Sequence, residues 1–188
     1  MHVPPWAMKH TYPDHETMVL SLLGHYEEAG HDEAAGWYRE SRKFARQLTR
    51  EHGGGLGRAA GIIAALSPQV QWSVNKRMAA QVMEHGWPQE GCLSRSANRA
   101  HDIWMGDRPL SVLGGPKTRA FYRAIMGDES AVVLDTWMSQ ALGWPHNAFS
   151  KSQYERCAAA LQEAAGHTGR TAATFQAVVW THVRGGAE

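Results

Sequence analysis

The chain has 188 residues, of which 43% are hydrophobic, as expected for one globular domain or one domain with a short extension. No apolar run approaches the roughly 20 residues that span a bilayer, and the first residues lack the layout of a secretory signal, so we expect a cytoplasmic protein without membrane contact. The formal net charge is only +1, and the two cysteines, Cys92 and Cys157, have no close spacing, which argues against a zinc ribbon or an iron–sulfur cluster.

Apolar residues recur at helical spacing along most of the chain. The predicted helices are Glu16–Glu28, Asp32–His52, Leu56–Leu66, Ser73–His85, Ser94–Met105, Lys117–Met126, Gln153–Gly166 and Ala172–Arg184, with a short helical or extended piece at Leu110–Leu113. Residues 1–15 are rich in proline and histidine and predict a loosely ordered lead-in. Between Ala131 and Leu142 the pattern indicates an extended stretch followed by a helix. Val132–Leu134 is the best strand candidate, but no partner is evident, so the fold class is predicted to be all-α.

The segment from Leu113 to Thr118 reads as a helix end, a glycine-rich hairpin and a helix start. Gly114 and Gly115 would let the backbone approach a phosphate, and the first N–H groups of the next helix would point at it. Thr118 would add a hydroxyl donor. Many ordinary helix–helix turns also contain glycine, so this pattern alone leaves a purely structural hairpin open.

Asp135 directly follows the apolar run Val132-Val133-Leu134, which would place its carboxylate at the edge of the core. Two interpretations stay open for an aspartate here: a functional carboxylate, or the N-cap of the next helix. Basic residues are concentrated between Arg39 and Arg123, so a nearly neutral chain can still present one basic face.

Together these segments resemble the helix-hairpin-helix DNA glycosylases, most closely the endonuclease III type, which carry a hairpin L-P-G-V-G-x-K-T-A and a later V-D-T-H. Lys117 and Asp135 match the catalytic lysine and aspartate of that family and keep its spacing of eighteen positions. The run from Ala65 to Lys76 is similar to a family motif S-A-Q-x-x-D-x-x-V-N-K, with Gln69 offset by about one position. Phe175–Gly185 looks like the family's last helix.

The resemblance covers residues 56–185 and implies two small helical subdomains with a cleft between them. On this interpretation residues 56–188 form the glycosylase-like domain, and residues 1–55 form an N-terminal helical extension packing on it. Three departures stand out. Leu113 replaces the first hairpin glycine, Trp137 replaces a histidine, and the cysteine quartet that holds the family's iron–sulfur cluster is absent. No metal or cofactor is therefore expected, and the expected partner of the monomer is double-stranded DNA.

The resemblance also implies residue roles. Asp135 would stabilise the sugar cation or activate a nucleophile, and Lys117 would attack C1′ to form a Schiff base, although a phosphate contact is the alternative for Lys117. The residues implied in DNA binding are Gly114, Gly115, Thr118, Arg119, Asn75 and Lys76. The residues implied in the base pocket or in intercalation are Gln69, Gln71, Trp72 and Trp137, with core packing as the alternative for each tryptophan.

Three functions follow from this interpretation. The first is base flipping and cleavage of the N-glycosidic bond of a modified or damaged base, with or without AP-lyase activity, in a phage or bacterial setting. The second is DNA modification on the same scaffold, similar to the phage glutamyl/putrescinyl-thymine pyrophosphorylase-like enzymes that hypermodify thymine. The third is a non-catalytic DNA-binding module. His25 and His31 flank Glu27 and Glu28 without H-E-x-x-H spacing, which favours solvated histidines over a metal site.

Overall fold

A computed structural model describes residues 12–29, 35–146 and 148–186. Helices dominate this part of the chain and it contains no strand, which confirms the all-α prediction. The helices are α1 (His15–Glu28), α2 (Trp37–His52), α3 (Gly55–Leu66), α4 (Trp72–His85), α5 (Ser94–Met105), α6 (Pro109–Val112), α7 (Pro116–Met126), α8 (Thr136–Ala141), α9 (Lys151–His167) and α10 (Ala172–Arg184).

The predicted helices agree with these bounds within one or two residues, except at the start of α2. The predicted start of α2 at Asp32 lies outside the described residues, and the helix is described from Trp37. Most of the predicted lead-in, residues 1–11, also lies outside them. Its last residues do not stay loose, because Asp14 caps α1 by accepting from the Thr17 backbone N–H at 2.8 Å.

The first core joins the two ends of the described chain. It contains apolar residues of α1, α8, α9 and α10, together with Val132 and Leu134. Met18 and Leu22 of α1 are completely buried in it, and Tyr26 stacks on Phe175 of α10 with ring centroids 4.8 Å apart. The first helix is thus a structural part of the core built by the last ones.

The second core surrounds α3. Every residue from Ala59 to Leu66 is buried, because α2, α4, α5 and α7 cover this helix on all sides. A helix that is apolar around its whole circumference belongs in the centre of a lobe. The two cores are not separated at residue 55: α1 belongs to the first core, whereas α2 packs on α3 and α7 in the second.

Residues 131–134 form an extended segment between the two cores. Val132 and Leu134 point into the first core and Val133 into the second, as the twofold alternation of an extended chain requires. Side chains satisfy its backbone in place of a partner strand. Gln176 accepts from the Val133 N–H at 2.7 Å and donates to the Val133 carbonyl at 2.8 Å. The strand candidate is therefore extended but belongs to no sheet in the described ranges.

No helix in the described ranges has the length and apolar character needed to cross a bilayer.

Candidate functional site

A cavity of about 390 Å³ opens where the two cores meet. This volume falls within the roughly 300–1,000 Å³ of typical small-ligand sites. Its aromatic lining comes from both cores and consists of Trp37, Tyr38, Trp72, Phe121, Trp137 and Trp180. Its polar lining is formed by Ser67, Gln69, Gln71, Asn75, Lys117, Asp135, Thr136, Gln176 and Arg184. Apolar walls with a few convergent polar groups are the usual make-up of a binding site.

Asp135 is held by three N–H donors. It is the N-cap of α8, and its Oδ1 accepts from the backbone N–H groups of Trp137 and Met138, both at 3.0 Å. Its Oδ2 accepts from the indole Nε1 of Trp180 at 2.9 Å. An ionised carboxylate offers about four acceptor positions, so roughly one of them, on Oδ2, is left for a ligand or a water. The capping interpretation and a functional carboxylate are thus compatible at this residue.

Three indoles form a continuous row across the cavity, which we call the indole row: Trp180, Trp37 and Trp72. The ring centroids are 5.6 Å apart between Trp180 and Trp37 and 5.3 Å apart between Trp37 and Trp72. The guanidinium of Arg184 lies over the Trp180 ring at 4.8 Å. The indole row extends from the carboxylate of Asp135 to the outer edge of the second core.

Lys117 reaches the same cavity from the glycine hairpin. Gly115 has φ +80° and ψ 155°, a conformation that residues with a Cβ rarely adopt, and Pro116 then starts α7. Lys117 is half-buried. Among the described residues it has no ion pair and no side-chain hydrogen bond. The structure therefore brings the predicted lysine and aspartate to the lining of one cavity.

The other hairpin residues serve the hairpin itself. Thr118 is buried, and its hydroxyl donates back to the carbonyl of Gly114, so that proton is already used within the hairpin. The Nε of Arg119 donates to the Leu113 carbonyl at 2.8 Å while the rest of its guanidinium stays exposed. Gly114 lies directly against the guanidinium of Arg99.

The predicted base-pocket glutamines lie on the loop between α3 and α4. Gln69 has φ +62°, a left-handed backbone found at no other non-glycine residue of the described chain, and both Gln69 and Gln71 are exposed at the cavity. Such strained positions are common at ligand sites. Trp137 is 37% exposed and contacts no other described ring, whereas Trp72 is packed in the indole row. Trp137 is thus the more exposed of the two tryptophans predicted for the base pocket.

Asn75 and Lys76 lie on neighbouring positions of α4 with different surroundings. Asn75 is buried and donates to the Ile63 carbonyl at 3.0 Å, which ties α4 to α3, while its Oδ1 has no partner in the described structure. Asn75 lines the cavity, and its Oδ1 is buried. Lys76 lies over the Trp72 ring at 5.8 Å and faces a different groove.

That groove, which we call the basic groove, has a volume of about 490 Å³ and begins on the far side of Trp72. It is lined by Glu40, Lys43, Phe44, Arg46, Gln47, Arg50, Trp72 and Lys76. Trp72 lines both the basic groove and the cavity. Lys43 already pairs with Glu40 at 2.7 Å, so Arg46, Arg50 and Lys76 supply most of the available positive charge.

Sequence reasoning missed several residues that shape the site. Gln176 is buried and also donates to the Tyr38 hydroxyl at 3.1 Å. Burial, with the nearby charge of Asp135, raises the pKa of Tyr38 far above its usual range. Trp180 and Arg184 are four positions apart on α10, a spacing that puts them on one helix face. That spacing is the only local signal that indicates a shared role.

Comparison with known proteins assigns the chain to a family without assigning it an activity. No curated protein and no solved structure matches the chain. One family matches residues 7–187, nearly the whole sequence, and its description is "Family of unknown function (DUF7178)". The chain therefore belongs to the DUF7178 family, a family of unknown function.

Proposed function

We propose that this protein is a DNA base-directed enzyme that extrudes a nucleotide into the cavity and breaks the N-glycosidic bond of its base. The observation that carries the proposal is the convergence in one cavity of three features: the anchored carboxylate of Asp135, Lys117, which has no ion pair with any described residue, and a row of indoles. A base cannot be reached inside a duplex, so such an enzyme needs a pocket with aromatic walls and reactive groups at its side.

The three donors on Asp135 fix its negative charge in position. A fixed charge that needs no reorganisation stabilises the positive charge that develops on the sugar as the glycosidic bond breaks. The bonding electrons leave with the base, which takes up a proton. The remaining acceptor position on Oδ2 suits a water or an amine that loses its proton as it attacks C1′. The fixed charge would serve the first role proposed for Asp135, and the acceptor position would serve the second.

Lys117 is the amine best placed for that attack. Its nitrogen would form a bond to C1′ as the base departs, and opening of the sugar ring would then give a Schiff base between lysine and sugar. A Schiff base permits strand cleavage by elimination, so this role predicts AP-lyase activity. If Lys117 only contacts phosphate, base release would proceed with water as the nucleophile and no covalent adduct would form.

The basic groove supports DNA as the substrate. Trp72 lines both the cavity and the basic groove. If a base of a DNA strand entered the cavity, the neighbouring phosphates of that strand would therefore lie near Arg46, Arg50 and Lys76. Phosphate neutralisation by such side chains supplies most of the sequence-independent affinity of DNA-binding proteins.

A second function, modification of the flipped base without breaking the glycosidic bond, is favoured by the arrangement of the indole row. Successive rings are tilted by 49° and 52°, so the indole row supplies aromatic walls in more than one orientation. Such walls would suit a base that carries an activated 5-substituent. An amine would displace the leaving group from that substituent, and Oδ2 of Asp135 would take the amine's proton.

The decisive experiment incubates the protein with single- and double-stranded DNA containing normal, damaged or 5-substituted pyrimidines. Free bases, strand breaks and nucleoside masses are then measured. Free base supports glycosidic cleavage, a new nucleoside mass supports base modification, and binding without either product supports a non-catalytic module. We expect Asp135→Asn to abolish product formation, whereas Asp107→Asn, an exposed acid outside the cavity, should keep it.

Borohydride trapping on abasic DNA tests the lysine separately. The wild-type protein should form a covalent adduct that Lys117→Ala and Lys117→Arg do not form, because neither variant has the primary amine. Equal trapping by wild type and Lys117→Ala would remove the Schiff-base role while leaving the role of Asp135 intact.

A further inference from the structure

Away from the cavity, three potential metal ligands converge where α1 meets α10. His25 and Glu28 are three positions apart on α1 and therefore share a helix face. His182 approaches from α10. Their ligand atoms all lie within 4.8 Å of one another, and none of the three residues lines the cavity.

One ligand pair already has the spacing of a tetrahedral site, and the other separations, within 4.8 Å, would shorten when an ion binds. His182 Nε2 and Glu28 Oε2 are 3.4 Å apart. Two ligands bound at about 2.0–2.1 Å to one tetrahedral zinc lie roughly 3.4 Å from each other, so this pair already has the required separation. The rings of His25 and His182 have centroids 5.8 Å apart. Glu28 is exposed and lies in the last turn of α1, so its side chain can adjust to an ion.

An orphaned atom in the cluster provides a second observation. The Nδ1 of His25 is buried and has no hydrogen-bond partner in the described structure. A metal-bound imidazole uses one nitrogen for the ion and usually gives the other to a carbonyl, carboxylate or water. A buried ring nitrogen without a partner is costly in an apo protein, and coordination would remove that cost if Nδ1 is the ligand.

We propose that His25, Glu28 and His182 bind one zinc ion, with water completing the tetrahedron. Two imidazoles and one carboxylate are a donor set that zinc accepts readily. The sequence indicated no such site, because the third ligand lies at the opposite end of the chain from the other two. The ion would join the first helix to the last. It would also fix the part of α10 that carries Trp180 and Arg184 to the cavity.

The test is a titration of metal-free protein with Zn²⁺ in competition with a chromophoric chelator. We expect one equivalent to bind per chain. Zinc at about 100 times its dissociation constant should raise Tm by about 5–10 °C. His25→Ala and His182→Ala should each lower the affinity at least tenfold, whereas His85→Ala, a histidine next to Glu84 on the other core, should bind like wild type.

Glu28→Gln covers the case in which a histidine variant misfolds, because this side chain is 72% exposed and supports no packing. Co²⁺ substitution adds a spectroscopic reading: intense visible d–d bands in wild type and weaker or shifted bands in Glu28→Gln are expected. Failure of the wild-type protein to bind zinc overturns the proposal, as does undiminished binding by folded His182→Ala and Glu28→Gln. Neither result bears on the proposed DNA chemistry, which is tested at Asp135.

Discussion

The hydrogen bonds of Asp135 show why one residue can be both a structural cap and a reactive group. Two backbone N–H groups donate to Oδ1, and one indole N–H takes one of the two acceptor positions of Oδ2. The helix-capping hydrogen bonds fix the position of the carboxylate, and the bond from the indole fixes its orientation. The side of the carboxylate that remains open is therefore set by Trp180.

Removing the indole donor should lower activity without unfolding the protein. Trp180→Phe keeps an aromatic ring but loses a hydrogen bond to a charged group, so we expect product formation to fall by about tenfold or more. Trp104→Phe is the matched control, because the Trp104 indole donates to the Met83 carbonyl at 3.2 Å outside the cavity. Equal activity of the two variants would show that Trp180 does not orient the carboxylate.

Gln176 should be one of the most sensitive polar residues of the protein. Gln176→Leu leaves the buried N–H and carbonyl of Val133 without partners, so we expect a loss of about 2–5 kcal/mol in the free energy of unfolding, measured with urea. Gln162→Leu removes a glutamine that donates to the Ser130 carbonyl at the surface, and should change stability by less than about 0.5 kcal/mol.

Tyr154 makes stability dependent on alkaline pH. Its hydroxyl donates to the Val132 carbonyl at 2.6 Å, and burial raises its pKa to about 12. The folded pKa exceeds the unfolded value of about 10. The contribution of Tyr154 to the free energy of unfolding is therefore fully present below pH 10 and is lost as the pH rises through 12. We expect urea unfolding between pH 9 and 12 to show a decline that is about 2 kcal/mol smaller in Tyr154→Phe. Cys157, whose pKa burial raises to about 11, adds to the decline in both proteins.

At the scale of elements, the helices could be predicted because their signals are local. Each helical segment carries its own signals: apolar spacing, capping residues and glycines where the helix ends. Ser150 and Gln153, for example, form a capping box at the start of α9. The extended segment could be recognised from Val132–Leu134, but its hydrogen-bond partners could not. They are side chains of α9 and α10, and no local pattern links Val133 to Gln176.

The tight packing of α3 gives a prediction with an internal control. A Cβ at Gly61 would lie 2.7 Å from the Pro109 ring, which cannot move aside as a flexible side chain does. Gly61→Ala should therefore destabilise the protein by about 1–3 kcal/mol in urea unfolding. Gly24 lies inside α1, and a methyl group added there would meet no atom within 4 Å apart from its chain neighbours and the nearby backbone of its own helix. Gly24→Ala should therefore stabilise the protein by about 0.5–1 kcal/mol.

For the whole molecule, the sequence indicated the class of fold and the pairing of Lys117 with Asp135, and the structure places both residues at one cavity. The sequence did not indicate that α1 belongs to the core of the last helices or that Trp37 and Trp180 are in contact. Those contacts join residues far apart in the chain, and they depend on which apolar faces meet rather than on any local spacing.

The basic groove should be visible in the salt dependence of DNA binding. If Arg46 neutralises one phosphate, Arg46→Ala should weaken affinity for all sequences alike and reduce the slope of log K against log salt by about one. Arg156→Ala, on the exposed face of α9, is the charge-matched control and should leave the slope unchanged. A slope unaffected by Arg46→Ala would place the phosphate path elsewhere.

The extended segment between the cores also bears on how the site can be re-engineered. The side chain of Val133 packs in the second core, while its backbone N–H donates to Gln176 of α10. Asp135 follows two positions later. Small volume changes deep in either core would be transmitted to the carboxylate as displacements of a fraction of an ångström. A library that varies only remote apolar positions should therefore retune reactivity, with every ligand-touching residue left as it is.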